Sequence, residues 1–182
     1  ALTWPHLLNV QWGDTLLVHG AAGALGLAAV EIGKALGATV IGTASTAEKR
    51  AVAVSHGADH AIPYDDFRDH VIELTGGEGA DAILDPVGGA VFDQSLRCIA
   101  LEGRIAPVGF TSGTIPQIPA NIILIKNVTV CGLNFGTYYG WSPKDVRWEM
   151  EPRVRALMDR FYGWAADGTV RPHVCATFPL EQ

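Results

Sequence analysis

Residues 15–26 constrain this chain most. They read Thr-Leu-Leu-Val-His-Gly-Ala-Ala-Gly-Ala-Leu-Gly. An apolar run stops at a cluster of small residues, and a helical pattern begins directly behind it. That describes a buried strand, a tight turn and a helix N-terminus. The turn has the spacing Ala21-x-Gly23-x-x-Gly26, a dinucleotide-binding fingerprint with Ala in the first glycine position. A side chain larger than methyl at Ala21 would crowd the turn. One at Gly23 would hold a pyrophosphate off the backbone, and one at Gly26 would push the helix off the sheet. With all three kept small, the free N–H groups and positive dipole end of the helix face an anion. Small residues also serve any close strand-to-helix packing, so the surroundings decide between a binding turn and a merely tight one.

Those surroundings favour binding. Helix is expected over 23–36, with Leu25, Ala28, Ala29, Ile32 and Leu36 as its buried stripe and Gly37 ending it. A second strand spans 39–43. Ser45-Thr-Ala-Glu48 has the form of a capping box opening a helix through His56, which Gly57 closes. A brief strand at 60–62 follows, and then a helix from Tyr64-Asp-Asp66 to Thr75-Gly-Gly77. Strand is expected at 80–84, helix at 90–99 and strand at 103–108, followed by a loop rich in Gly, Ser, Thr and Pro over 109–119. The sixth strand covers 128–133. Ser142-Pro-Lys-Asp145 places Pro at the first position of a long helix with apolar residues at Val146, Met150, Val154, Leu157, Phe161 and Trp164, stopped by Gly168. The tail over 170–178 reads as extended. Six strands alternating with helices predict an α/β fold: a doubly wound, mostly parallel six-stranded sheet of the Rossmann type. Such sheets bind ligands beyond the carboxyl ends of their strands, and the small-residue clusters at 20–26, 43–45, 85–89 and 108–113 all lie there.

The 182 residues are enough for one domain with a sizeable core, and 48% hydrophobic with 18% charged residues is a globular balance. No apolar run approaches the ~20 residues of a membrane span, which argues against a membrane partner. A net charge of -6 argues against nucleic acid as the main partner. Cys98, Cys131 and Cys175 are widely spaced and odd in number, which fits reduced thiols and a cytoplasmic location. No Cys or His residues have zinc-site spacing, and His19, His56, His60 and His70 read as turn or surface residues. The sequence does not open on Met. Residues 1–10 have helical spacing at Leu2, His6, Leu7 and Val10, and a new helix is expected to start where the sequence stops, at Leu180-Glu-Gln182. The expectation is that residues 1–182 form a single dinucleotide-binding domain cut from a longer polypeptide.

The second strand chooses between nicotinamide dinucleotides. NAD-preferring sites place Asp or Glu at its end to hold the ribose hydroxyls. Here that place falls near Ala44, and the carboxylate is missing. Ser45 offers a hydroxyl, with Lys49 and Arg50 one helical turn on, which suits a 2′-phosphate and hence NADP. The competing reading is that Ser45 only caps the helix and that Glu48, Lys49 and Arg50 are a solvated face.

Leu17-Val-His-Gly-Ala-Ala-Gly-Ala-Leu-Gly-Leu-Ala28, Lys34-Ala-Leu-Gly-Ala38, Lys49, Gly57-Ala-Asp59, Asp85-Pro-Val-Gly-Gly89 and Lys126-Asn-Val-Thr-Val-Cys-Gly132 occur in that order. Together they resemble the cofactor domain of the zinc-independent quinone oxidoreductases, the zeta-crystallin-like branch of the medium-chain dehydrogenase/reductase superfamily. The resemblance covers nearly the whole chain. It implies pyrophosphate binding on the turn of Ala22, Gly23, Ala24 and Leu25, and a Ser45/Lys49 pair on the 2′-phosphate. It further implies Tyr64 against the adenosine end, with the loops of Val108 and Phe110 and of Leu133 and Phe135 bordering the nicotinamide. The alternatives are an ordinary half-buried aromatic at Tyr64 and loop packing at Phe110 and Phe135. Asp85 reads as a cap on its own turn. Ala24 departs from the family's usual Gly. The resemblance also implies an N-terminal substrate domain outside this sequence and no metal site within it. It implies a homodimer too, paired through the apolar edge at 128–133, the alternative being coverage of that edge by the long helix after Ser142.

The function implied is the NADPH-binding domain of an oxidoreductase passing hydride to a quinone or activated alkene, the fragment itself turning over little. Parents that share the fold are a zinc alcohol dehydrogenase and an enoyl-thioester reductase. From another class, a non-enzymatic nucleotide sensor fits the same residues. No Tyr-x-x-x-Lys follows Tyr138, Tyr139 or Tyr162, and no Gly-Lys-Ser/Thr follows the turn, which argues against a short-chain dehydrogenase and a P-loop enzyme.

Overall fold

The computed structural model describes residues 1–4 and 7–180. Its elements are β1 (Thr15–Val18), α1 (Ala24–Ala35), β2 (Thr39–Thr43), α2 (Ala47–Ser55), β3 (His60–Ile62), α3 (Phe67–Leu74) and β4 (Ala80–Asp85). They continue with α4 (Gly89–Cys98), β5 (Ile99–Pro107), α5 (Ala120–Lys126), β6 (Thr129–Val130), a 3-10 turn (Phe135–Tyr139) and α6 (Arg147–Ala166).

The strands form one sheet in the order β3-β2-β1-β4-β5-β6. Every pairing is parallel. The chain winds outward from β1 to β3, then crosses back to start again at β4. The β1–β4 junction is therefore the point of reversal, where the crossover helices diverge and leave a crevice. Side chains alternate across the sheet. Leu16, Val18, Val40, Leu84 and Ala106 pack under α1 on one face, while Leu17, Ile41, Ile83 and Ile105 meet Phe92 and Leu96 of α4 on the other. These strand residues are buried on both faces, as a fully parallel sheet requires.

The amino ends of the strands are laced by carboxylates. Asp81 Oδ2 accepts from the Thr15 N–H at 2.7 Å, and Asp59 Oδ2 accepts from the Val40 N–H at 2.7 Å. Lys34 Nζ donates to Asp59 at 2.8 Å. The tail is tied to α1 through the buried carboxylate of Glu31. Its Oε2 accepts from the Arg171 N–H at 2.8 Å, and its Oε1 lies 2.6 Å from His56 Nδ1.

Several expectations are corrected. The described part of residues 1–10 forms turns rather than a helix, with Leu7, Leu8 and Val10 N–H groups bonded to Trp4, Ala1 and Leu2 carbonyls. His6 of that pattern lies outside the described residues, as do Glu181 and Gln182 of the expected terminal helix. Leu25 faces outward from the start of α1, and Ala28, Ile32 and Leu36 are half-buried. Ala29 is buried as expected, but the rest of the buried face of α1 is Gly26, Leu27, Val30, Glu31 and Gly33. The cap of α2 is Thr46 rather than Ser45. β5 starts at Ile99 and runs without a break from the end of α4. β6 keeps only two residues of the expected six-residue strand. α6 begins at Arg147 rather than Pro143, with Asp145 Oδ1 accepting from the Arg147 N–H at 3.1 Å. The tail beyond Val170 has no regular structure.

Candidate functional site

The turn between β1 and α1 is closed by backbone rather than side chains. The Gly23 N–H bonds the Gly20 carbonyl at 2.9 Å, and Gly20 adopts φ +63°. A Cβ on Gly26 would lie 2.2 Å from the Gly20 oxygen and 2.6 Å from Ala21 Cα, so the helix can approach the strand only without one. A Cβ on Gly23 would meet nothing nearer than the Gly20 oxygen at 3.4 Å. Its smallness is not demanded by packing and serves whatever approaches the turn. The ladder of α1 opens with Leu27 N–H on the Gly23 carbonyl. Among the described residues nothing accepts from the N–H groups of Ala24, Leu25 and Gly26. Gly23 supplies no side-chain cap, and the first turn of α1 holds no acidic residue. These are the orphan donors and the positive pole that an anion satisfies.

These amides open into a cleft of about 420 Å³ lined by Ala22, Gly23, Ala24, Leu25, Ser45, Lys49 and Tyr64, together with Gly20, Gly26, Ala44, Pro86, Val87 and Thr111. Among the described residues no carboxylate lines it. Thr46 Oγ1 takes the Lys49 N–H at 3.3 Å and so performs the capping. Ser45 is therefore not needed as a cap, and among the described residues its hydroxyl has no hydrogen bond. Lys49 likewise pairs with no carboxylate among the described residues. Glu48 is engaged at the cap, its carboxyl held below the usual range by its own backbone N–H and by the Thr46 hydroxyl. Arg50 does not line the cleft and donates to the Ala44 carbonyl at 3.2 Å, bracing the end of β2. Tyr64 Oη accepts the Gly20 N–H at 2.9 Å, so its ring is a fixed wall.

Val108, Leu133 and Phe135 lie elsewhere, in an apolar groove of about 650 Å³ that runs past Leu84 and between α1 and α6. Leu25 lines both the cleft and the groove. Phe110 lines neither. Its ring packs toward Gly88, where an added Cβ would come within 3.1 Å of it.

His19 was not anticipated at the site. It does lie in the turn that follows β1, as expected, but it is fully buried there rather than at the surface. Its Nδ1 lies 2.9 Å from Thr43 Oγ1 and its Nε2 lies 2.8 Å from Ser95 Oγ. Burial pushes its pKa down to about 3, so the ring is neutral. A polar residue ending an otherwise apolar strand was the only sequence signal for it. Among the described residues no other histidine lines the cleft: His56 lies on Glu31 with His173 against its ring, His60 is exposed on β3, and His70 is half-buried on α3. Asp85 is also fully buried, and its Oδ1 accepts from the Val87 and Gly88 N–H groups at 2.7 and 3.0 Å. Burial raises its pKa against those two hydrogen bonds.

Residues 24–151 match the family model described as zinc-binding dehydrogenase. The chain is 43% identical over 181 residues to a quinone oxidoreductase-like protein 2 homolog of Nematostella vectensis, covering 97% of this chain and 47% of that protein. The crystal structure of a 2-haloacrylate reductase superposes with a TM-score of 0.81 at 32% identity, covering 98% of this chain and 54% of that one. A quinone oxidoreductase of Escherichia coli complexed with NADPH superposes with a TM-score of 0.76 at 27% identity, covering 91% and 49%. The chain thus spans about half the length of the relatives it matches.

Proposed function

The chain belongs to the zinc-binding dehydrogenase family, and from that premise we propose that it is the NADPH-binding domain of an oxidoreductase acting on a quinone or an activated alkene. The observation that carries this reading is a single cleft holding unbonded helix amides at one side and an uncommitted hydroxyl and ammonium at the other. The donor set suits a dinucleotide with a third phosphate. The amides of Ala24, Leu25 and Gly26 take the pyrophosphate beside Ala22 and Gly23. Ser45 and Lys49 take the 2′-phosphate, and the Tyr64 ring walls the adenosine.

When bound, NADPH supplies a hydride. The groove at Val108, Leu133 and Phe135 borders the nicotinamide and keeps water from it. Those side chains carry no acid or base. The chain's share of the reaction is therefore to hold the donor in place and dry its surroundings. Phe110, packed toward Gly88, supports the loop. Residues 1–182 act as one domain, with the acceptor bound mainly by a part of the protein outside this sequence. The protein works in the cytoplasm as a homodimer joined through the β6 edge.

Titration of the 182-residue chain with NADPH, followed by nicotinamide fluorescence, tests the reading. Saturable binding is expected, and no saturable change at millimolar cofactor would overturn it. Lys49→Ala should weaken NADPH by about tenfold or more, the ~1.5–3 kcal/mol of a charge-assisted contact, while NADH changes little. An equal loss for both cofactors removes the phosphate role.

A further inference from the structure

His19 ties three elements together beneath the cofactor cleft. Ser95 Oγ donates its one proton to the Val91 carbonyl at 2.7 Å, so toward His19 it can only accept. His19 Nε2 therefore carries the ring proton and donates to Ser95. Nδ1 is left as an acceptor, and Thr43 Oγ1 donates to it. The hydrogen-bond directions fix one neutral tautomer without reference to any titration.

The two bonds lead to different places. Ser95 belongs to α4, which carries none of the residues assigned to the adenosine phosphate. Thr43 is the last residue of β2 and leads directly into Ala44, Ser45 and the start of α2 with Lys49. Its carbonyl also accepts the Ala21 N–H at 3.0 Å, joining the end of β2 to the turn. The His19 ring lies alongside Tyr64, 6.1 Å between centroids and 21° between planes, and Phe67 meets it edge-on at 4.9 Å. One imidazole thus touches both supports of the adenosine side of the cleft, the β2 end and the tyrosine wall.

We propose that His19 is a positioning residue for cofactor selectivity: its bond to Thr43 sets the distance of Ser45 and Lys49 from the pyrophosphate turn, and so the preference for a 2′-phosphate. This rests on the NADPH reading given above. The two hydroxyl partners allow a controlled test. Thr43→Val and Ser95→Ala each delete one buried hydrogen bond to the same ring, but only the first removes a side-chain tie from the β2 end, whose backbone bonds to Ala21 and Ile62 remain.

Binding of NADPH and NADH to the 182-residue chain is measured for both variants. In Thr43→Val, NADPH affinity falls about tenfold, equivalent to one displaced phosphate contact, while NADH falls less than about threefold. In Ser95→Ala both stay within about threefold of wild type. A direct readout accompanies this: nitrogen-15 chemical shifts of His19 show a neutral ring protonated at Nε2 in wild type from pH 5 to 8. Equal losses for the two variants overturn the inference, as does a Thr43→Val loss shared by both cofactors. So does a His19 ring protonated at Nδ1 or titrating in that range. If wild type shows no saturable NADPH binding, the functional reading itself fails, and this inference falls with it.

Discussion

At the scale of single residues, the glycines of the turn separate packing from binding. Gly26 is barred from any side chain by backbone atoms that cannot move aside. Gly26→Ala should cost about 3 kcal/mol or more, read as a lower urea midpoint. Gly23→Ala meets only one contact at 3.4 Å, so the fold should survive with its midpoint little changed. Its methyl would stand before the open amides and weaken NADPH. A Gly23→Ala chain that binds normally would show that the amides are not the anion site. These roles were legible in the sequence because a fingerprint spacing names them. His19 was not. A lone polar residue beside a glycine reads as part of the turn, and only the sheet register reveals Thr43 and Ser95 as its partners. Ser45 was ambiguous for a related reason: the capping-box spacing to Glu48 offered it as the cap of α2, whereas the adjacent hydroxyl of Thr46 performs that role.

Among elements, the open edge of the sheet matters most for assembly. Among the described residues β6 has a partner only on its β5 side. Beside it, α5 leaves Leu124 78% and Ile125 75% exposed. An unpaired strand edge next to an apolar helix face is a surface that association would cover. Light scattering should give a dimer mass for wild type and a monomer mass for Leu124→Lys with Ile125→Lys. A wild-type monomer at high concentration would exclude this interface. α5 itself escaped the sequence reading. Ala-Asn-Ile-Ile-Leu-Ile-Lys is a short apolar run without a polar face, and such runs do not separate helix from strand. The turns in the described part of residues 1–10 were misread for the opposite reason: a helical period can arise by chance over so few positions. α1 and α4, with longer patterns and glycine boundaries, were legible to within a residue or two.

For the whole molecule, acid should be destabilising. His19 has a folded pKa of about 3 against 6.5 for the free side chain. Below pH 6.5 the unfolded chain takes up a proton that the folded one refuses. Its contribution to stability is therefore complete above pH 6.5 and is lost as pH falls from there toward 3, by an amount on the order of a few kcal/mol. Asp85, buried on the neighbouring strand end, works the other way. With its folded pKa raised, its protonation on acidification favours the folded state and offsets part of the loss. Urea midpoints measured from pH 7 to pH 4 should fall, and they should fall less steeply in His19→Phe. Parallel curves for the two proteins would show that His19 is not the group responsible. The architecture in which both groups sit was the most legible level of all. Alternating strand and helix periods with small-residue clusters at the strand ends admit few arrangements other than a doubly wound parallel sheet.

That sheet has two unlike rims. One is open and lined with uncommitted donors; the other is stitched shut by Asp59 and Asp81. The stitched rim is where a fluorophore, an affinity tag or a surface tether could be attached, leaving the opposite mouth clear for whatever enters it.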